Sequence, residues 1–130
     1  MRLPKGLIIA APMSNSGKTF LTLGLLRALR QKGVSLATGK IGPDYIDPGF
    51  HSLASGAECF NFDSWAMRPE SLFHLITTAQ DSKGAPPEIM IVEGVMGLFD
   101  GAHGVSSPFF PDLAAGSTAE LAALTGWPII

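Results

Sequence analysis

Apolar positions fall into short continuous runs separated by segments of helical period, and their order predicts the architecture. Leu7-Ile8-Ile9-Ala10, within Gly6–Ala11, reads as a buried first strand. Phe20–Lys32 reads as a helix: Leu21, Leu25, Leu26 and Leu29 supply a wide apolar face, Arg27, Arg30 and Lys32 lie towards its C-terminus, and Gly33 is a stop. Val34–Lys40 alternates in part and reads as a second strand, so the first three elements form a βαβ unit with parallel strands and a right-handed crossover.

Ile41–Phe50 is a loop rich in Gly, Pro and Asp. Asp47 as N-cap and Pro48 at the first position predict a short helix over Gly49–Ser55, with Gly56 past its end. Glu58–Met67 is irregular, with room for a short extended piece. Pro69–Gln80 is predicted helical from Leu72, Phe73, Leu75, Ile76 and Ala79, and His74 is expected to pack among these neighbours. After a turn at Asp81–Pro87, Glu88–Val92 is a further apolar strand ending at Glu93. Gly94–Gly116 is a long glycine-rich loop, a length that marks functional segments more often than passive ones. Ser117-Thr118-Ala119-Glu120 is a capping box opening a helix to Thr125, which Gly126 ends, and Trp127–Ile130 begins what reads as a fourth strand. The fold class expected is α/β: a P-loop NTPase-like, doubly wound parallel sheet, incomplete at the C-terminus.

Composition narrows this modestly. With 130 residues and 46% of them apolar, the chain can bury one core. A net charge of −2 gives no reason to expect nucleic acid or an anionic membrane as partner. No apolar run approaches membrane-spanning length. The one cysteine, Cys59, excludes an internal disulfide, suits a reducing cytoplasm and reads as a small apolar residue near a core.

The chemistry is concentrated in Ala11-Pro12-Met13-Ser14-Asn15-Ser16-Gly17-Lys18-Thr19. Strand, loop, Gly-Lys-Thr and helix is the context of a phosphate-binding P-loop. The amides of Ser14, Asn15, Ser16 and Gly17 would cradle phosphate at a helix N-terminus, Lys18 would reach the β- and γ-phosphates, and Thr19 would ligate Mg²⁺. The first glycine of the usual pattern is replaced by Pro12, so that corner must turn differently. The second loop lysine of partitioning ATPases is absent, which argues against a switch protein of that type.

Acids at the C-terminal ends of the strands are the candidates for metal and substrate chemistry. Glu93 stands where a Walker-B acid would lie, as a second Mg²⁺ ligand. Asp44 and Asp47 follow the second strand; a turn and an N-cap are their competing readings. Asp100 lies in Leu98-Phe99-Asp100-Gly101, where Asp-Gly is also an ordinary turn signal. Lys40 ends the second strand and can neutralise transferring phosphoryl oxygens, against the reading of a solvated lysine. His51, His74 and His103 do not have metal-site spacing, and no role is assigned to His51 or His103.

Four blocks carry a family resemblance: 10–19, Lys40-Ile41-Gly42-Pro43-Asp44-Tyr45-Ile46-Asp47-Pro48-Gly49-Phe50-His51, Val92-Glu93-Gly94-Val95-Met96-Gly97-Leu98-Phe99-Asp100-Gly101, and 116–120. Together the chain resembles the N-terminal part of the synthetase domain of the cobyrinate (hydrogenobyrinate) a,c-diamide synthases, a domain similar to dethiobiotin synthetase. The resemblance implies ATP- and Mg²⁺-dependent amidation of the a and c carboxylates of a corrin in cobalamin biosynthesis, through acyl phosphates. It implies a corrin dicarboxylate as substrate, ammonia supplied from glutamine by a C-terminal glutaminase domain that these residues do not include, and leaves room for a homodimer of the parent. By match, Lys40, Asp44, Asp47 and Asp100 would be catalytic, Tyr45 and Ile46 would bind substrate, and Thr19 and Glu93 would hold Mg²⁺. Nickel sirohydrochlorin a,c-diamide synthase and cobyric acid synthase share the scaffold. The 130 residues alone are expected to be inactive and marginally folded, with helix faces such as those of Leu121 and Leu124 lacking part of their partner.

Overall fold

Four short strands, all parallel, and four helices alternate along the chain in the computed structural model, which describes residues 2–130. The order is β1 (Gly6–Ile9), α1 (Lys18–Gln31), β2 (Leu36–Ile41), α2 (Asp47–Ser55), β3 (Cys59–Phe62), α3 (Pro69–Thr78), β4 (Ile89–Glu93) and α4 (Thr118–Thr125). The sheet runs β1-β4-β2-β3, so β4 inserts between the first two strands. Every strand therefore delivers its C-terminal end to the same edge, the edge where ligands bind in open α/β sheets.

Strand parity sorts the side chains onto two faces. Ile8, Ala37, Ile41, Met90 and Val92 meet Leu72 and Ile76 of α3 and Leu121 and Ala122 of α4 in one buried cluster. Leu7, Ile9, Leu36, Ile89 and Ile91 meet Leu25, Leu26 and Leu29 of α1 and Ala54 of α2 in the other. Both faces of the sheet are covered, as an all-parallel sheet requires.

The same parity carries polar residues. Lys40 shares the face of Leu36, and Glu93 that of Ile89 and Ile91. The register pairs Lys40 with Glu93 across β2 and β4, beneath α1 and α2.

Several boundaries differ from the sequence reading. α1 begins at Lys18, earlier than the expected Phe20, with Gly17 before it in the left-handed region at φ 89°. Its buried line is Lys18, Thr22 and Leu26, and Leu21, expected on the apolar face, is 56% exposed beside Phe20. A side chain one position before Thr22 is rotated 100° off that line. His74 is likewise exposed rather than packed, because α3 buries Leu72 and Ile76 and the position midway between them faces away. β3, only allowed for as an extended piece, pairs with β2 at the sheet edge.

The stretch 127–130 is thus the fifth to reach the sheet, not the fourth. It lies parallel to β1: Ile8 N–H donates to the Pro128 carbonyl, Ile130 N–H to that of Ile8 and Ala10 N–H to that of Ile130. The Trp127 ring lies flat against Gly6 and its Nε1–H donates to the Pro4 carbonyl at 3.0 Å. Leu121 is fully buried, contrary to the expectation that it lacks a partner. Among the described residues no helix is long and apolar enough to cross a membrane.

Candidate active site

The loop after β1 is shaped by two residues of positive φ, Asn15 at 59° and Gly17 at 89°. Asn is among the few side-chain-bearing residues that tolerate this region, and Gly has no Cβ to strain. A turn over Ser14 and Asn15 engages the Ser16 amide, and among the described residues the amides of Asn15, Gly17 and Lys18 donate to no protein acceptor. They lie at the start of a 14-residue helix with no side-chain cap. Free amides at a helix N-terminus favour an anion by hydrogen bonding and by the helix dipole. The loop's own shape is held by Ser16, whose hydroxyl donates to the Met13 carbonyl at 2.7 Å. Lys18, only 9% exposed, folds back so that its Nζ stands 3.4 Å from the same carbonyl.

A second segment braces this loop at Pro12. Asp100 Oδ2 accepts the Gly97 amide at 2.9 Å, and the turn so closed sends the Leu98 amide to the Ala11 carbonyl at 2.9 Å. A Cβ on Gly97 would stand 2.5 Å from the Pro12 carbonyl oxygen, so the two backbones touch only because Gly97 has none. The corner that lacks the usual glycine is supported from outside. Asp100 itself is exposed, and its recorded hydrogen bond is the one that forms this turn.

Next to the loop lies a charged cluster that strand parity assembles. Thr19 Oγ1 is 2.5 Å from Glu93 Oε1 and 3.3 Å from Asp47 Oδ2. Lys40 Nζ stands 3.2 Å from Asp47 Oδ2, 3.4 Å from Glu93 Oε1 and 3.9 Å from Asp44 Oδ2, and donates to the Gly94 carbonyl at 3.1 Å. Lys40 is 5% exposed, so the solvated-lysine reading is excluded. Three carboxylates around one ammonium leave an acidic excess beside the free amides.

Of the two competing readings, the structure bears out the turn for Asp44 and overturns the N-cap for Asp47. Asp47 is the first residue of α2 and makes no capping hydrogen bond. Asp44 Oδ1 instead accepts the amides of Ile46 and Asp47, at 2.8 and 3.0 Å. Asp44 thus closes the turn, which leaves the Asp47 carboxylate to face Lys40 and Thr19. Burial pushes the Asp44 carboxyl up, but the two amides and Lys40 outweigh it and hold the group below its ordinary value. The same contest occurs at Glu93. Burial raises it, while the close approach of His51, the hydrogen bond from Thr19 and the charge of Lys40 bring it below its ordinary value.

His51 is the residue the sequence reading missed. It is fully buried, and its Nε2 lies 2.6 Å from Glu93 Oε2. The available signal was spacing: Asp47 and His51 are four residues apart on one short helix and so share a face. Glu120 is another. Ser117 Oγ accepts the Glu120 amide, as a capping box requires, but the Glu120 carboxylate turns to the Gly116 amide and the Ser64 hydroxyl. It pins the end of the long loop to the segment after β3.

Tyr45 and Ile46, the expected substrate residues, are 96% and 71% exposed. They edge an open hollow of about 380 Å³ that Ile41, Gly42, Pro43, Asp44 and Val95 complete. The arrangement therefore brings Lys18, Thr19, Lys40, Asp44, Asp47 and Glu93 to one sheet edge, with an apolar hollow adjoining. Asp100 reaches it through the turn it forms against the P-loop.

The residues present fit a small hard cation. Thr19 Oγ1 and Glu93 Oε1 are oxygen donors beside the loop of free amides, with Asp47 Oδ2 3.3 Å from Thr19 Oγ1. Among the described residues no three acidic, histidine or cysteine groups form a metal cage. Mg²⁺ at phosphate sites needs none, since it takes one or two protein oxygens and fills its remaining positions with water and phosphate.

No family model matches the chain. It is 52% identical over 126 residues to a hydrogenobyrinate a,c-diamide synthase of Rhizobium meliloti, covering 96% of this chain and 26% of that protein. A protein of the same name from Rhodobacter capsulatus is 50% identical over 129 residues, covering 98% of this chain and 27% of its own. One from a Sinorhizobium species is 54% identical over 120 residues, with 92% and 26% covered. The chain thus spans about a quarter of the length of these relatives.

Proposed function

From the premise that this chain belongs to the hydrogenobyrinate a,c-diamide synthase family over the quarter of its relatives that it spans, we propose that it forms part of the ATP site of an enzyme that amidates the a and c carboxylates of a corrin in cobalamin biosynthesis. The enzyme is a carbon–nitrogen ligase that uses ATP and Mg²⁺, and takes its ammonia from glutamine through a glutaminase domain elsewhere in the protein.

The chemistry explains why such residues are needed. A carboxylate resists ammonia because its leaving group would be oxide. Attack of a carboxylate oxygen on the γ-phosphorus forms an acyl phosphate and releases ADP. Ammonia then adds to the acyl carbon, phosphate leaves, and a proton is lost to give the amide. Phosphoryl transfer depends mainly on alignment and on neutralising charge. Lys18 and the loop amides hold the β- and γ-phosphates. Thr19 and Glu93 would hold Mg²⁺, which when bound would supply positive charge beside the phosphate oxygens. Lys40 brings the one ammonium of the carboxylate cluster to the transferring group, and Asp44 and Asp47 set where that ammonium lies. Tyr45 and Ile46, apolar and exposed beside these acids, offer a surface to the corrin ring.

The observation that carries this reading is the convergence of Lys18 and Thr19 of α1, Lys40 of β2 and Glu93 of β4 beside a loop of unused amides. The test is Lys18→Ala in the full-length protein. Corrin-dependent ADP formation should fall by at least a hundredfold, a loss in the range seen when a charge on transferring phosphate is removed. Unchanged ADP formation would defeat the assignment.

A further inference from the structure

Glu93 has two oxygens in different surroundings. Oε1 faces Thr19 Oγ1 at 2.5 Å and Lys40 Nζ at 3.4 Å. Oε2 faces away from them, towards His51 Nε2 at 2.6 Å. The last torsion of a glutamate side chain is broad, so the carboxylate does not hold one oxygen forward by itself. Its other oxygen must be tied, and the ring that ties it is sealed from water: His51 and Glu93 are each fully buried.

The ring is itself oriented. His51 Nδ1 lies 3.8 Å from Cys59 Sγ, on the first residue of β3. The half-buried thiol of Cys59 keeps its proton, since desolvation pushes it up to about 12. The S–H has Nδ1 at 3.8 Å and the Phe60 carbonyl at 3.9 Å as weak acceptors, and a bond to Nδ1 leaves the ring proton on Nε2, the nitrogen in close contact with the Glu93 carboxylate though not aligned with it as a hydrogen bond. Chain geometry supports the pairing independently. His51 follows Asp47 by one helical turn, so α2 presents one residue to each side of the Glu93 cluster.

We propose that His51 is a positioning residue of the metal site: by binding Oε2 it holds Oε1 of Glu93 towards Thr19 and the Mg²⁺ position, with Cys59 orienting the ring from behind. The proposal rests on the nucleotide reading above. Residues that orient a metal ligand typically change metal affinity ten- to a hundredfold when removed. His51 does not touch nucleotide or substrate, so its effect should be on metal and not on metal-free ATP.

The test measures Mn²⁺ binding, as a spectroscopic stand-in for Mg²⁺, by electron paramagnetic resonance on the ATP complex of the full-length protein. His51→Ala should weaken Mn²⁺ binding at least tenfold while ATP binding in excess chelator stays within twofold. His51→Gln, which keeps an N–H donor near the Nε2 position, should recover most of the loss. Glu93→Gln should lose at least as much as His51→Ala, and the double variant should lose little more than Glu93→Gln alone. Equal Mn²⁺ affinity in wild type and both His51 variants would overturn the proposal while leaving the ATP site standing. So would losses in His51→Ala and Glu93→Gln that simply multiply. A wild-type protein that binds ATP with neither metal nor chelator would instead overturn the proposal if Mn²⁺ failed to join it, whereas one that binds no ATP at all would remove the nucleotide reading on which the proposal rests.

Discussion

Thr19 Oγ1 and Glu93 Oε1 stand 2.5 Å apart although 74 residues separate them in the chain. Thr19 is the second residue of α1, and Glu93 the last of β4. Their meeting follows from the sheet order, because β4 lies directly beside β1 and ends level with Ile9, just before the phosphate loop. The pair joins the loop of free amides to the cluster of acids, the juxtaposition that the proposed ATP-dependent activation of a carboxylate would use.

The depressed carboxyl groups of that cluster give a pH dependence with a definite sign. Glu93 and Asp44 have ordinary values of 4.5 and 3.8 and lie lower in the folded protein. Each therefore adds stability above its unfolded value, and that contribution fades as the pH falls through the folded value. The melting temperature should be flat from neutral pH to about 5 and then drop with acid. Glu93→Gln should flatten part of this acid limb. A variant whose acid limb is as steep as that of wild type would show that Glu93 is not stabilised in the fold.

Gly97 should tolerate no side chain. A methyl group there would meet the Pro12 carbonyl oxygen and Asp100 Oδ2, at 2.5 and 2.7 Å, so Gly97→Ala must displace the turn or the start of the P-loop. Forcing a methyl into such a contact costs about 1–3 kcal/mol. ATP affinity by calorimetry should fall, and more than for Gly24→Ala, which has open space around it on α1. Equal affinities in the two variants would mean that this contact does not shape the loop.

Cys59 should be slow to react. Its thiol is pushed up to about 12, chiefly by burial, so little thiolate exists at pH 8. Mass spectrometry should find it unmodified by iodoacetamide in the native protein under conditions that fully label it in urea. Rapid labelling of the native protein would contradict the packing around His51.

The alternation of runs and turns made the α/β class and the P-loop legible, because each is written locally. The four-residue β3 was less so, since Cys59-Phe60-Asn61-Phe62 has no period to separate it from loop and is a strand only by pairing with β2. Leu21 misled for a related reason: a leucine-rich helix presents more than one apolar line, and the sheet selects which is buried. Lys40 and Glu93 were legible as strand-end charges, but their contact depends on the register of β2 against β4. His51 was hidden because a lone histidine has no pattern until its partner, 42 positions on, is brought to it by the fold. Asp44 closes the turn, as one of its two readings had it, and Asp47 makes no cap, because the turn between them decides which carboxylate can reach the amides.

The central claim is that this site directs the γ-phosphate of ATP onto a corrin carboxylate. The full-length protein, given ATP, glutamine and a corrin diacid labelled with ¹⁸O in its a and c carboxylates, tests that directly by mass spectrometry of the released phosphate. One labelled oxygen should appear in inorganic phosphate for each amide formed, because the carboxylate oxygen that attacks phosphorus leaves with it. Label in AMP, or amide formed with unlabelled phosphate, would contradict the account.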